Sequence, residues 1–161
     1  MTNSSPRPSG GSPDGSLFAR VLFGGSSATE LAAACDVGLW GSPQGVRLYV
    51  SHDGGTTFSQ SGPRIPVGGV VSIASPTASS ILVAGPTAQG SAVVRSSDGG
   101  RTWQTALETG NAMITYLGFT TPAQGVVLTV APAGPGASVG GSLLITRDGG
   151  HTWHQVTIAG P

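Results

Sequence analysis

Three eight-residue segments of this chain are near copies of one another. SHDGGTTF runs from Ser51 to Phe58, SSDGGRTW from Ser96 to Trp103, and TRDGGHTW from Thr146 to Trp153. Their aspartates, Asp53, Asp98 and Asp148, are 45 and 50 residues apart. Self-similarity at such a period marks an array of supersecondary units, each of which buries its apolar surface against its neighbours. The period also changes the meaning of the composition. Gly (27) and Pro (12) make up about a quarter of the 161 residues, a level that signals disorder when no period accompanies it. Here they punctuate a repeat.

Between the punctuation lie short runs rich in Val, Ile, Leu, Thr and aromatics, the composition of β-strands. In the first repeat they are Leu17 to Phe23, Glu30 to Cys35, Arg47 to Ser51 and Thr56 to Ser59. The second has Val70 to Ser75, Ile81 to Ala84, Ala92 to Ser96 and Thr102 to Leu107. The third has Ala112 to Thr120, Val126 to Val130, Leu143 to Thr146 and Thr152 to Ile158. No segment carries apolar residues at helical spacing over three turns, so helix should be nearly absent. Four antiparallel strands per repeat of about 45 residues is the unit of a propeller blade. The expected fold is all-β: a β-propeller-type array of three four-stranded antiparallel blades, a partial propeller or one completed by oligomerisation. The blades should span about 16–61, 69–108 and 112–159. Residues 1–15 (MTNSSPRPSGGSPDG) have almost no apolar surface to bury and should form a disordered tail or linker.

The repeated segment sits on the turn between the third and fourth strands. Asp53, Asp98 and Asp148 can accept hydrogen bonds from backbone N–H groups two or three residues ahead, which fixes a tight turn. The Gly pairs ending in Gly55, Gly100 and Gly150 supply backbone conformations with positive φ. Ser51, Ser96 and Thr146 can each add a hydroxyl hydrogen bond. Phe58, Trp103 and Trp153 start the last strand and can pin the hairpin onto its blade. The pattern S/T-x-D-x-G-x-T-W/F resembles the Asp-box, or BNR repeat, of sialidases, sortilin-type receptors, xyloglucan-cleaving glycosidases and photosystem II assembly factors. The resemblance covers about residues 16–159. It implies a propeller fold, and it implies that the three aspartates are structural turn residues away from any catalytic centre.

Three blades pose a problem. Closed propellers have four to eight, and an open set leaves two apolar faces uncovered, an association liability. The chain could belong to a larger propeller, could pair with a second copy to close six blades, or could form an open arc that binds another protein. These remain open on the sequence.

An enzyme reading centres on Arg64-Ile65-Pro66, which resembles the core of the sialidase Arg-Ile-Pro motif. The context departs from that family. Pro63 stands where the family has an aromatic, and the segment follows a repeat instead of preceding the first. The tyrosines that a sialidase nucleophile requires are only Tyr49 and Tyr116, both inside strands. Outside the turns and the tail the carboxylates are Glu30, Asp36 and Glu108, few for a pair acting at one glycosidic bond. The segment Gly62 to Gly68 reads equally as a Pro-bounded connection between blades with Arg64 in solvent. His52, His151 and His154 lie on different blades or faces, and no metal or cofactor is expected.

Propellers usually bind ligands on the face opposite the Asp-turns. That face should carry the loops Asp36 to Gln44, Gly62 to Gly68, Glu108 to Asn111 and Ala131 to Ser142. Trp40, Arg64, Glu108 and Asn111 are the candidate ligand residues. Trp40, flanked by glycines in GLWG, is the recognition platform for a sugar or peptide or a lid on its own blade. The expected partner is a protein, or a second copy completing the propeller, with carbohydrate as a further candidate.

Net charge is zero and charged residues are 9%, so neither a nucleic-acid footprint nor an anionic-membrane patch is expected. No apolar run approaches a membrane-spanning helix. The N-terminus lacks the apolar stretch of a signal peptide, which fits a cytoplasmic chain or a piece of a longer exported one. Cys35 is the only cysteine, so no intrachain disulfide forms, and its apolar surroundings suit a buried small side chain.

Overall fold

A computed structural model describes residues 18–39, 42–131 and 140–156. The expected tail at 1–15 and the end of the last strand beyond Val156 lie outside the described residues. Twelve strands and no helix make up the described chain, arranged as three four-stranded antiparallel sheets. Blade 1 holds β1 (Phe18–Gly25), β2 (Leu31–Leu39), β3 (Ser42–Ser51) and β4 (Ser59–Ile65). Blade 2 holds β5 (Ser72–Ala74), β6 (Ile81–Thr87), β7 (Gly90–Ser96) and β8 (Gln104–Glu108). Blade 3 holds β9 (Met113–Phe119), β10 (Gly125–Ala131), β11 (Gly140–Thr146) and β12 (His154–Val156). Each sheet is a meander in chain order. The first strands of successive blades touch, β1 against β5 and β5 against β9, so the inner strands converge as in a propeller.

The central strands of blade 2 are apolar on both faces, because that blade has a neighbour on each side. The register sorts the side chains by face. On β2 and β3, Ala32, Ala34 and Leu48 face blade 2, where they meet Ile73, Ile81, Val83 and Val94 in one core. On β6 and β7, Leu82, Ala84 and Val93 face blade 3 and meet Ile114, Leu117 and Val127 in a second core. The two cores are therefore the two blade-to-blade interfaces. Trp103 packs into the first and Trp153 into the second.

Three segments expected as loops are partly strand. Asp36 lies in β2, and the backbone ladder continues through Gly38↔Pro43 to Leu39↔Ser42, so this hairpin is much tighter than an Asp36-to-Gln44 loop. Ser142 lies in β11 opposite Thr129, and only residues 132–139 of the expected third-blade loop fall outside the described strands. Arg64 and Ile65 belong to β4, not to an interblade connection. There the pairing jumps from Leu48↔Ser61 to Val46↔Ile65, a bulge that absorbs Gly62, Pro63 and Arg64. A proline is tolerated because β4 is an edge strand. The bulge returns Ile65 to the core, where it is buried, while Arg64 is exposed. Gly62 has φ 62°, and a Cβ there would run into the carbonyl of Gly100 in blade 2.

Leu48 is fully buried between blades 1 and 2. Leu48→Ala should cost about 2–5 kcal/mol of unfolding free energy, as buried Leu→Ala truncations do. Urea unfolding followed by tryptophan fluorescence checks this.

Candidate functional site

The three Asp-Gly-Gly turns share one hydrogen-bond pattern, built on a hydroxyl and a carboxylate. Ser96 Oγ donates to Asp98 Oδ1 at 2.8 Å and accepts the Gly100 N–H at 2.7 Å. Asp98 Oδ1 accepts the Thr102 N–H at 2.9 Å, and Thr102 Oγ1 donates to Asp98 Oδ2 at 2.6 Å. The same bonds join Ser51, Asp53, Gly55 and Thr57, and again Thr146, Asp148, Gly150 and Thr152. The main backbone donor thus lies four residues beyond the aspartate, and the N–H three residues on, of Thr56, Arg101 or His151, is a weaker addition in each turn. The threonine at this fourth position, which turn chemistry alone does not single out, gives the aspartate both a hydroxyl and an N–H. The paired glycines have φ between 73° and 93° in all three turns.

These bonds reward the charged carboxylate. Asp53 and Asp98 are lowered from the ordinary 3.8 to about 2, first by the threonine hydroxyl, then by the threonine N–H. Asp148 is lowered further for the same reasons. Each turn is also tied to the first hairpin of its own blade: Gly54 N–H to Thr29 O, Gly99 N–H to Ser79 O and Gly149 N–H to Ala123 O. Asp-turns and first hairpins therefore share one end of the array. The turns reach backwards as well. Ser61 Oγ donates to Gly99 O at 2.6 Å and Arg95 Nε to Gly149 O at 3.0 Å, each bond crossing from one blade to the next.

Of the candidate ligand residues, the described ones, Arg64, Glu108 and Asn111, do not line one depression. Trp40 lies outside the described residues. Arg64 lies exposed on β4 beside Gly45. Glu108 ends β8 and lines a depression of about 470 Å³ with Pro66, Val67, Pro86 and Gln89. Asn111 is exposed in the connection to β9, and neither it nor Arg64 lines that depression. A second depression, about 520 Å³, follows the inner strands of all three blades from Gly24 through Ser72 to Tyr116 and carries no charged side chain. Most remaining carboxylates are engaged. Asp36 accepts the Val70 N–H at 2.9 Å and Glu30 meets His52 Nδ1 at 2.6 Å. Cys35 is buried, and burial with Asp36 beside it pushes its thiol up to about 11. Among the described residues no three His, Cys, Asp or Glu side chains gather as a metal cluster.

The largest structural feature that sequence reasoning located only in outline is the pair of open faces. Phe23, Ile73 and Leu117 occupy one position, each opposite the third residue of the paired β2, β6 or β10 ladder. Ile73 and Leu117 are buried against the preceding blade, whereas Phe23 is 64% exposed. Phe58 stands where Trp103 and Trp153 insert between blades, yet it is 39% exposed and meets Phe23 edge to face at 6.2 Å. On the opposite side Leu128 holds the position of the buried Ala34 and Ala84 and is 41% exposed, beside Tyr116 at 50%. The motif spacing contained this information, but only the strand register assigns each side chain to a face.

No protein-family model matches the chain. No curated protein matches it either. Its fold is similar to solved structures. A GH74 enzyme of Niastella koreensis superposes with a TM-score of 0.58 at 15% identity, over 85% of this chain and 22% of the enzyme. The chain thus spans about a fifth of that protein's length. A structure of YCF48 bound to a D1 peptide gives a TM-score of 0.43 at 15% identity, over 88% of this chain and 67% of the other. The chain is a β-propeller-type array of three blades.

The turn carboxylates impose a pH dependence. Their values are depressed in the folded state, so their contribution is complete above about pH 3.8 and is lost as pH falls through about 2. Asp98→Asn should lower the urea midpoint at pH 7, and the gap from the parent chain should close as pH falls from about 4 towards 2. A gap independent of pH over that window would show that charge has no part in the turn.

Proposed function

We propose that this chain is a non-catalytic Asp-box propeller segment that works in protein binding or assembly, with the open blade faces as its docking surfaces. One observation carries the reading. The exposed Phe23 on blade 1 and Leu128 on blade 3 stand at positions that are buried in blade-to-blade cores elsewhere in the same chain, and Phe58 beside Phe23 stands where the half-buried Trp103 and Trp153 pack against those cores. A surface of this kind fits a protein sheet better than a small ligand, and contiguous exposed apolar surface marks interaction sites. The Asp-box assignment is supported by the hydroxyl–carboxylate–threonine pattern, repeated bond for bond in three turns.

The sialidase-like alternative finds less support. Arg95 is committed to the Gly149 carbonyl and Arg47 to Gln60 Oε1 at 2.9 Å, while Arg64 lies exposed in the β4 bulge. Asp53, Asp98 and Asp148 have both carboxylate oxygens bonded within their turns. Among the described residues Glu108 is the one carboxylate that lines a depression without such bonds, and a glycosidase needs a pair.

A photo-crosslinking residue placed at Leu128 or Phe23 should join the chain to protein in its native cell, and one placed at the exposed His151 of an Asp-turn should not. Equal crosslinking at all three sites, or none at the faces, overturns the docking reading. Hydrolysis of a sialoside or a β-glucan that disappears in Arg64→Ala or Glu108→Gln, with the fold intact by circular dichroism, overturns the non-catalytic one.

A further inference from the structure

Resting on that docking reading, we propose that the occupant of the open faces is a second copy of this chain, so that the face of blade 3 carrying Leu128 packs onto the face of blade 1 carrying Phe23 and Phe58 in both directions and closes a six-bladed ring.

The chain already contains this interface twice. Blade 1 offers blade 2 the face of Ala34 and Leu48, and blade 2 offers blade 3 the face of Ala84 and Val93. The corresponding residues of blade 3 are Leu128 and Leu143, fixed by the register from Ser51, Ser96 and Thr146. On the receiving side, Ile73 with Trp103 and Leu117 with Trp153 correspond to Phe23 with Phe58. Both halves of the repeated interface are therefore present, one at each end of the array and apolar at these positions, with Arg47, bonded to Gln60 Oε1, also on the blade 1 half. They are unlike each other, so the contact is head to tail. Such contacts close into a ring when the rotation permits and polymerise when it does not.

Arithmetic fixes the number of copies. Head-to-tail packing of this chain gives blade counts in multiples of three. Closed propellers have four to eight blades. Six is the only multiple in that range, so one additional copy completes the ring and a third would exceed it. The cross-blade hydrogen bonds extend the same logic. Gly99 O and Gly149 O each accept from the preceding blade, and Gly54 O of blade 1 is the third member of that set, at the seam.

Size-exclusion chromatography with light scattering on the purified chain provides the test. The expected mass is twice the 15.9 kDa of the chain. Leu128→Asp and Phe23→Asp change exposed residues, so both variants should keep the parent circular dichroism and run as monomers. Mixed, they should recover a dimer, because Phe23→Asp retains an intact blade 3 face and Leu128→Asp an intact blade 1 face. A dimer lost in Leu128→Asp but kept in Phe23→Asp would mean like faces pair, and overturns the ring. Open-ended polymers overturn it too. A monomeric parent chain whose Leu128 crosslinks a different protein overturns self-closure and leaves the docking reading standing. A monomer that crosslinks nothing overturns both.

Discussion

A sheet that is apolar on both sides has to be covered on both sides, and the whole molecule is arranged by that requirement. Alternation along β6 sends Ile81 and Val83 one way and Leu82 and Ala84 the other, and all four are buried. A blade of this kind has no solvated face and so is not a stable unit alone. Its stability comes from the neighbour, through burial worth roughly 25 cal/mol per Å² of apolar surface. The ends of the array are then where the same rule acts without a neighbour, which is why the interaction surface and the folding core are made of equivalent residues.

The Asp-turns keep the blades in position for that packing. A buried serine or threonine hydroxyl serves two partners at once, donating to the aspartate and accepting from the second glycine N–H. The hydroxyls of Ser51, Ser96 and Thr146 are almost fully buried, so each must find both partners inside the turn. The carboxylate in turn is held ionised by threonine at the fourth position. A group stabilised in one charge state by fixed donors is poorly suited to trading protons near neutral pH, so the geometry that makes these aspartates good turn anchors also separates them from acid–base chemistry. The turn glycines lie close against the preceding blade. Gly100 sits against Leu48 and Gly150 against Leu82, with no room for a side chain.

Much of the fold was legible in the sequence because repetition reports on it directly. Twelve strands in three sheets follow from the period and the β-rich runs, and the buried Cys35 follows from its apolar neighbours. The errors cluster where backbone pairing continues without apolar side chains to announce it. Gly38 pairs Pro43 across a hairpin that composition alone reads as loop. Gly62 and Pro63 look like a chain break but form a bulge that carries Ile65 back into the core. The candidate ligand residues were the least legible. Arg64, Glu108 and Asn111 share a face by the alternation of loops in a meander, but which of them line one depression depends on the bulge in β4 and the end of β8, neither of which apolar patterning announces. The open faces needed strand register, since a one-residue slip exchanges the two faces of a strand.

The same physics explains why the repeat is visible in the turns and hidden in the strands. At each interface a turn carbonyl is the acceptor, yet its donor is Ser61 in one case and Arg95 in the other. The acceptor is backbone, positioned by glycines whose positive φ disfavours any residue with a Cβ. The donor is any side chain long enough to reach. Core positions behave like the donor: Ala34 and Ala84 at one position face larger residues across the interface, and what the packing constrains is the summed volume, not the identity of either side. Sequence identity between repeats therefore persists only where backbone conformation is at stake.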